Sequence, residues 1–268
     1  MIKVGLVGCG AIGTALAEAI AHPYAQHARL VGVHDLKPTA ARHLAERLNP
    51  HPPILSLDTL CDSSQLVVEA ASADGAGAIC RRALQSGCHV LIMSVGALLH
   101  DPSLLAEATH LHRHIHIPSG ALCGVDGLKA FAQGRLERVT LTTTKPPSAF
   151  AGAPRVAAAG VNLAALKQPT VLFEGTAQQA VEAFPQNINV AATLVLATRG
   201  TVPVHVTIVA DPHATRNRHE VEAVGDCGRL VTRMESDPSA THPRTSEVAL
   251  RSAVATLGQI LAGSHIGT

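Results

Sequence analysis

The sequence predicts an α/β protein: an N-terminal doubly wound parallel sheet, a C-terminal α+β domain, and a final helix that packs back on the first domain. Three observations carry that reading. Short apolar runs alternate with helical segments through residue 121, the pattern of βα units on a parallel sheet. The first run opens into Gly8-Cys9-Gly10-Ala11-Ile12-Gly13, a glycine-rich strand-to-helix turn. From residue 122 on, strands follow one another without long helices between them, as in an antiparallel or mixed sheet. The expected divisions are therefore 1–121, 122–243 and 244–268.

In order along the chain, Ile2 to Val7 is the first strand, Thr14 to Ala21 an Ala-rich helix, and Leu30 to Val33 a second strand ending at His34-Asp35. Pro38 to Leu48 has helical composition and stops at Asn49-Pro50. Leu66 to Ser72 is a buried-strand run that ends in small residues, and Gly75 to Ser86 is a helix closed by Gly87. His89 to Ser94 is a strand, Ser103 to Leu111 a helix, and His114 to Ile117 a strand that runs into Pro118-Ser119-Gly120-Ala121. In the second part Val139 to Thr144 alternates with period two, as a half-exposed strand should. Gln178 to Phe184 and Val190 to Thr198 read as helices; Val202 to Ala210, Glu220 to Val224 and Arg229 to Met234 read as strands. Thr245 to Leu261 is the final helix, its apolar stripe made by Leu250, Val254, Leu257 and Leu261.

Composition narrows the function classes. Of 268 residues, 47% are hydrophobic but only 2% aromatic, so the core must be aliphatic. A net charge of +1 gives no electrostatic basis for binding nucleic acid or an acidic membrane. The start does not read as a signal peptide, and no apolar run reaches the length of a membrane span. Six cysteines without a CxxC spacing read as reduced thiols, which points to the cytoplasm.

The first thirty-five residues have the order strand, glycine turn, helix, strand, acidic residue, which is that of a dinucleotide-binding βαβ unit. Gly8 would allow the tight turn, Gly10 the close approach of a pyrophosphate, and Gly13 the close packing of the helix. The N–H groups at the helix start, from Ala11 and Ile12 to Gly13, offer donors and a positive dipole end to phosphates. Asp35, 22 positions after Gly13, would accept hydrogen bonds from the adenine ribose. Its charge argues for NAD, with NADP possible because Lys37 is near. In such sheets ligands lie beyond the carboxyl ends of the strands. That makes Ala71 and Ser72, Ser94-Val95-Gly96, and Ser119-Gly120-Ala121 candidates for the ribose and nicotinamide side.

The second part carries two polar clusters. Asn187 and Asn189 precede an apolar helical run, where they suit helix caps or an amide-binding role. Asp211 to Glu220 holds two His and two Arg between predicted strands, so it reads either as a solvated hairpin loop or as a site for a dianionic substrate. His110, His112, His114 and His116 alternate, but the expected change from helix to strand within the run keeps them from sharing a face, and no metal is expected. Cys123 reads as a small buried residue; the other reading is a nucleophile.

The chain resembles the L-aspartate dehydrogenase family. The resemblance rests on Val7 to Gly13, Val68-Glu69-Ala70-Ala71-Ser72, Pro118-Ser119-Gly120-Ala121 with Gly124-Val125-Asp126-Gly127-Leu128, Phe184 to Thr193, and Asn217-Arg218-His219-Glu220. It implies a Rossmann domain followed by an α+β domain. It implies His219 as the catalytic residue and Asn189, with Asn187 as the second candidate, as the cofactor-binding asparagine. A small residue after Ser119-Gly120, either Ala121 or Cys123, would lie near the nicotinamide. The implied reaction is oxidative deamination of L-aspartate to iminoaspartate, or to oxaloacetate and ammonia, serving NAD biosynthesis. Arg218, Arg216 and Lys145 are the candidates for holding the substrate carboxylates. The expected partners are these small molecules and, in a homodimer, a second copy of the chain. Rival readings are a dihydrodipicolinate reductase-like enzyme, a semialdehyde dehydrogenase using Cys123, and a dinucleotide-sensing protein without turnover.

Overall fold

Two five-stranded sheets organise the computed structural model, which describes residues 1–184, 189–239, 246–263 and 266–267. The chain divides into two units: Met1–Pro118 together with the last helix from Leu250 onward, and Ser119–Ala249.

The first unit runs β1 (Ile2–Val7), α1 (Ala11–Ala21), β2 (Ala28–His34), α2 (Pro38–Arg47), α3 (Leu57–Ser63), β3 (Leu66–Glu69), α4 (Ala73–Gln85), β4 (His89–Ile92), α5 (Ala97–His100), α6 (Ser103–His110) and β5 (Ile115–His116). Its strands lie in the order β2-β1-β3-β4-β5, and every pair is parallel. β3 is apolar apart from its last residue and wholly buried, as a strand covered on both faces must be. The short helix α3 is absent from the sequence reading. The Ser56 side chain starts it by accepting from the Thr59 N–H at 3.2 Å. Seven residues are too few for a helical period to stand out.

The second unit runs α7 (Val125–Phe131), β6 (Leu136–Lys145), α8 (Pro154–Ala158), β7 (Thr170–Thr176), α9 (Ala177–Ala183), α10 (Asn189–Ala197), β8 (Val204–Ala210), β9 (Asn217–Gly225) and β10 (Gly228–Ser236), in the strand order β10-β9-β6-β8-β7. The sheet is mixed: β6 and β8 are parallel and the other pairs antiparallel. Three elements, α7, α8 and β7, have no counterpart in the sequence reading. β7 passes directly into α9 through a capping box between Thr176 and Gln179, so no turn residue separates strand from helix. α7 carries Gly127 at its middle, which weakens its helical signature. β8 and β9 both flank β6, so residues 211–216 form a crossing connection and the hairpin reading is wrong.

The last helix, α11 (Glu247–Ala262), buries Ala253, Leu257 and Leu261 in the aliphatic core of the first unit, against residues such as Leu16 and Ile20. Ala253 takes the buried place the apolar stripe assigned to Val254, which is only partly buried. Val254 lies where the Tyr24 hydroxyl reaches its carbonyl at 3.4 Å. Among the described residues, no helix is long and apolar enough to cross a membrane.

Candidate active site

At the carboxyl end of β1 the backbone turns through Gly8, whose φ is +96°. A Cβ there would lie 2.3 Å from the Ala70 carbonyl oxygen, so the turn after β1 leans directly on the turn after β3. A Cβ on Gly13 would lie 1.9 Å from the Gly8 oxygen, which fixes the first turn of α1 against the loop. Gly10 differs. A Cβ there would meet nothing within 4 Å, so its backbone faces open space. No side chain caps α1, and the N–H groups of Ala11, Ile12 and Gly13 fall in the first turn, where no intrahelical acceptor exists. A bared glycine backbone beside an uncapped helix start is the cradle that a pyrophosphate requires.

Asp35, just past β2, is held in place by this same loop. Its Oδ2 accepts from the Cys9 N–H and its Oδ1 from the Lys37 N–H, both at 2.8 Å. Each oxygen keeps a free lone pair for a ribose hydroxyl. These residues fit a dinucleotide. The Cys9 thiol plays no acid–base part, since burial and then the Asp35 charge push it up to about 12.

Of the other first-unit candidates, Ala71 donates its N–H to Glu69, and Ser72 stands just ahead of α4 with its side chain making no capping bond. Glu69 itself is a residue that sequence reasoning passed over. It is fully buried at the end of β3 and binds the turns after both β3 and β4. The one signal available was an acidic residue at the end of an otherwise apolar run.

In the second unit, strand pairing assembles a different kind of centre. Thr143 of β6 lies opposite His219 of β9, and Thr144 opposite Arg218. His219 is only 3% exposed, and its Nδ1 lies 3.0 Å from the Thr143 Oγ1. Lys145, two residues on from Thr143, falls on the same face of the sheet. Burial first, and then the Lys145 charge, bring the His219 imidazolium down to about 3. Burial likewise brings the Lys145 ammonium down to about 8. At neutral pH the centre therefore pairs a neutral imidazole, able to take a proton, with a mostly charged ammonium, able to hold an anion. Thr143 is the partner that sequence reasoning missed. The period-two alternation placed it on a strand, but only the β6–β9 register brings it to His219.

The three cation candidates are placed differently. Arg218 is adjacent to His219 on β9 and so projects to the opposite face. There its guanidinium reaches the Thr144 hydroxyl at 3.3 Å, and its Nε lies 3.1 Å from Glu220 without the alignment of a hydrogen bond. Arg216 lies before the strand, exposed, in an ion pair with Asp237 at 2.8 Å. Only Lys145 of the three shares the face of His219. Ala121 is buried and Cys123 half-buried, on either side of Leu122. Asn189 is the exposed first residue of α10, and Asn187 lies outside the described residues. The alternating histidines separate only in part: His110 ends α6 and His112 has a φ of +53°, but His114 and His116 stay together with ring centroids 5.9 Å apart, and His89 stacks on His114 at 5.1 Å. Among the described residues no group of three or more His, Cys, Asp or Glu could hold a metal ion.

Both units match known sequence families. Residues 126–260 match the family described as aspartate dehydrogenase, C-terminal, and residues 8–118 match that described as homoserine dehydrogenase, NAD binding domain. The L-aspartate dehydrogenase of Methanosarcina mazei is 41% identical over the full length of both chains, and that of Nitrosopumilus maritimus is 38% identical over 96% of each. The crystal structure of aspartate dehydrogenase from Thermotoga maritima has the same fold. Its TM-score is 0.73 at 24% identity, over 100% of this chain and 99% of that one. With the end-to-end identity to the archaeal enzymes and the match of its C-terminal half, the chain belongs to the L-aspartate dehydrogenase family.

Proposed function

We propose that this protein is an NAD(P)-dependent L-aspartate dehydrogenase. It would oxidise L-aspartate to iminoaspartate, which water converts to oxaloacetate and ammonia, and run the reverse reductive amination, feeding NAD biosynthesis. One observation carries the reading. The half of the chain that matches the aspartate dehydrogenase family holds a buried neutral imidazole, His219, and on the same face of the sheet a half-buried ammonium, Lys145.

A bound nicotinamide supplies the acceptor for the hydride leaving C2 of the substrate. The chain's own residues supply the rest. The N–H groups of α1 hold the pyrophosphate and Asp35 the adenine ribose, with NAD preferred because a 2′-phosphate would meet a carboxylate. Lys145 holds a substrate carboxylate. In the tautomer that donates its Nδ1–H to Thr143, His219 keeps the Nε2 lone pair free. That lone pair takes the proton released as the amine becomes an imine; once the imidazolium has passed that proton to solvent, the lone pair is free again to activate the attacking water. Substrate entry helps this step, because burial and, after it, the Lys145 charge hold the imidazolium down, and an incoming dianion offsets the second of these. Asn187, Asn189, and Ala121 or Cys123 complete the nicotinamide side on the strength of the family resemblance.

The six free cysteines support a reducing, cytoplasmic setting. A homodimer is supported by the half-exposed face of the second sheet, whose edge strands expose Val171 and Val231. A spectrophotometric survey of NAD and NADP reduction across amino acids tests the function. L-Aspartate alone should give a strong rate, and silence with L-aspartate while another amino acid turns over would overturn the substrate.

A further inference from the structure

The buried carboxylate of Glu69 takes no part in the chemistry above. It has no exposed surface, and no salt bridge reaches it among the described residues. Its two oxygens take two donors each. Oε1 accepts from the Ala71 N–H at 2.9 Å and the Ser94 hydroxyl at 3.0 Å. Oε2 accepts from the Ser94 N–H at 2.9 Å and, at 3.2 Å, from the Met93 N–H, which also donates to the Glu69 main-chain carbonyl at 2.9 Å. Burial pushes the carboxyl above its usual range, while these four donors pull it back.

An anion buried without a cation is costly, and the fold would be simpler with an apolar residue here. What the carboxylate provides is geometry. Ala71 belongs to the turn after β3; Met93 and Ser94 belong to the turn after β4. One acceptor-only group locks the two turns to each other. The turn after β3 in turn abuts the glycine loop, since a Cβ on Gly8 would strike the Ala70 carbonyl. Glu69 is thus the link between the phosphate cradle and the strand ends beyond it. A ligand of such a sheet lies across these strand ends.

We infer that Glu69 is a positioning residue for the nicotinamide of the bound dinucleotide, holding the turns after β3 and β4 at the separation that seats the ring. The inference rests on the dinucleotide reading of the first unit. A glutamine cannot replace it. The amide has one acceptor oxygen, so its NH2 would face two of the four donors.

The test compares two ligands by calorimetry on the intact protein, NADH and ADP-ribose, which has the adenosine and both phosphates but no nicotinamide. Glu69→Gln should weaken NADH about tenfold or more and leave ADP-ribose within about twofold. Equal weakening of both, or none for NADH, overturns the inference. If Glu69→Gln does not fold, Ser94→Ala decides, because it removes one donor and keeps the carboxylate. NADH should then weaken about threefold with ADP-ribose unmoved, and any parallel or absent change overturns the assignment. Neither titration contains an amino acid. Wild-type protein that binds NADH but ignores aspartate would refute the substrate proposed above and leave this inference standing. Wild-type protein that binds neither nucleotide would refute both.

Discussion

The two polar centres are built from different materials. In the first unit the donors are backbone N–H groups, with the Ser94 hydroxyl as the one side-chain exception: those of α1, of Cys9 and Lys37 around Asp35, and of Ala71, Met93 and Ser94 around Glu69. In the second unit side chains do the work, with Thr143, Lys145 and His219 converging from two paired strands. A backbone site tolerates many side chains and demands glycines where nothing else fits. A side-chain site demands particular residues and tolerates a varied backbone. The first arrangement suits a constant ligand such as phosphate, and the second suits proton transfer and choice among substrates.

Mutations should therefore separate the two centres. The largest effect should come from His219→Ala. Loss of the general acid/base should lower kcat with L-aspartate by about 10²–10⁴-fold, while NADH binding stays within about twofold of wild type. Steady-state kinetics beside a nucleotide titration reads both numbers, and an undiminished kcat removes His219 from the chemistry. The glycines give the complementary result. Gly10→Ala puts a methyl group into open space, so Tm should hold while NADH binding weakens about tenfold or more. Gly13→Ala drives a Cβ to 1.9 Å from the Gly8 oxygen, so Tm itself should fall, by the equivalent of about 1–3 kcal/mol. If the two variants behave alike, the distinction between ligand-facing and packing glycines fails. Asp35→Ser comes next in size. The ratio of NADP to NAD use should rise by about tenfold as a carboxylate is withdrawn from the 2′ position, and an unchanged ratio would place the ribose elsewhere.

The same contrast explains what could be read from the sequence. The glycine turn and Asp35 were legible because a backbone site is local: spacing within one βαβ unit specifies it, and Cys9 N–H to Asp35 closes it. The buried strand run of β3 was legible for the same reason, yet Glu69 at its end was not, because its partners lie on two separate turns. In the second unit the alternation of Val139 to Thr144 gave the strand and its faces. It did not give the register against β9, and that register decides that Thr143 meets His219 while Arg218 turns away. The run from Asp211 to Glu220 looked like a single polar loop because composition does not show where β9 begins. Once Asn217 starts the strand, neighbouring residues of that run part to opposite faces. His219 itself is singled out by family resemblance, since neither of the two histidines in that polar run has a distinguishing spacing.

The smallest expected effect concerns Lys145 alone and can be read without catalysis. Burial lowers its ammonium to about 8, so its charge is complete below neutral pH and is lost as pH rises through about 8. An ordinary lysine would stay charged to about 10.4. His219, held down to about 3, stays neutral over this whole range and cannot supply the change. A non-reactive dicarboxylate such as succinate, competing with aspartate, should therefore bind with a steady Kd up to about pH 7.5 and weaken by up to about tenfold per unit above 8. Lys145→Met should bind more weakly at pH 7 and lose the pH dependence. A wild-type Kd that stays flat to pH 9.5 would show that the anion is held elsewhere. The pairing of an ammonium for the substrate with an imidazole for the proton would then have to be redrawn around His219 by itself.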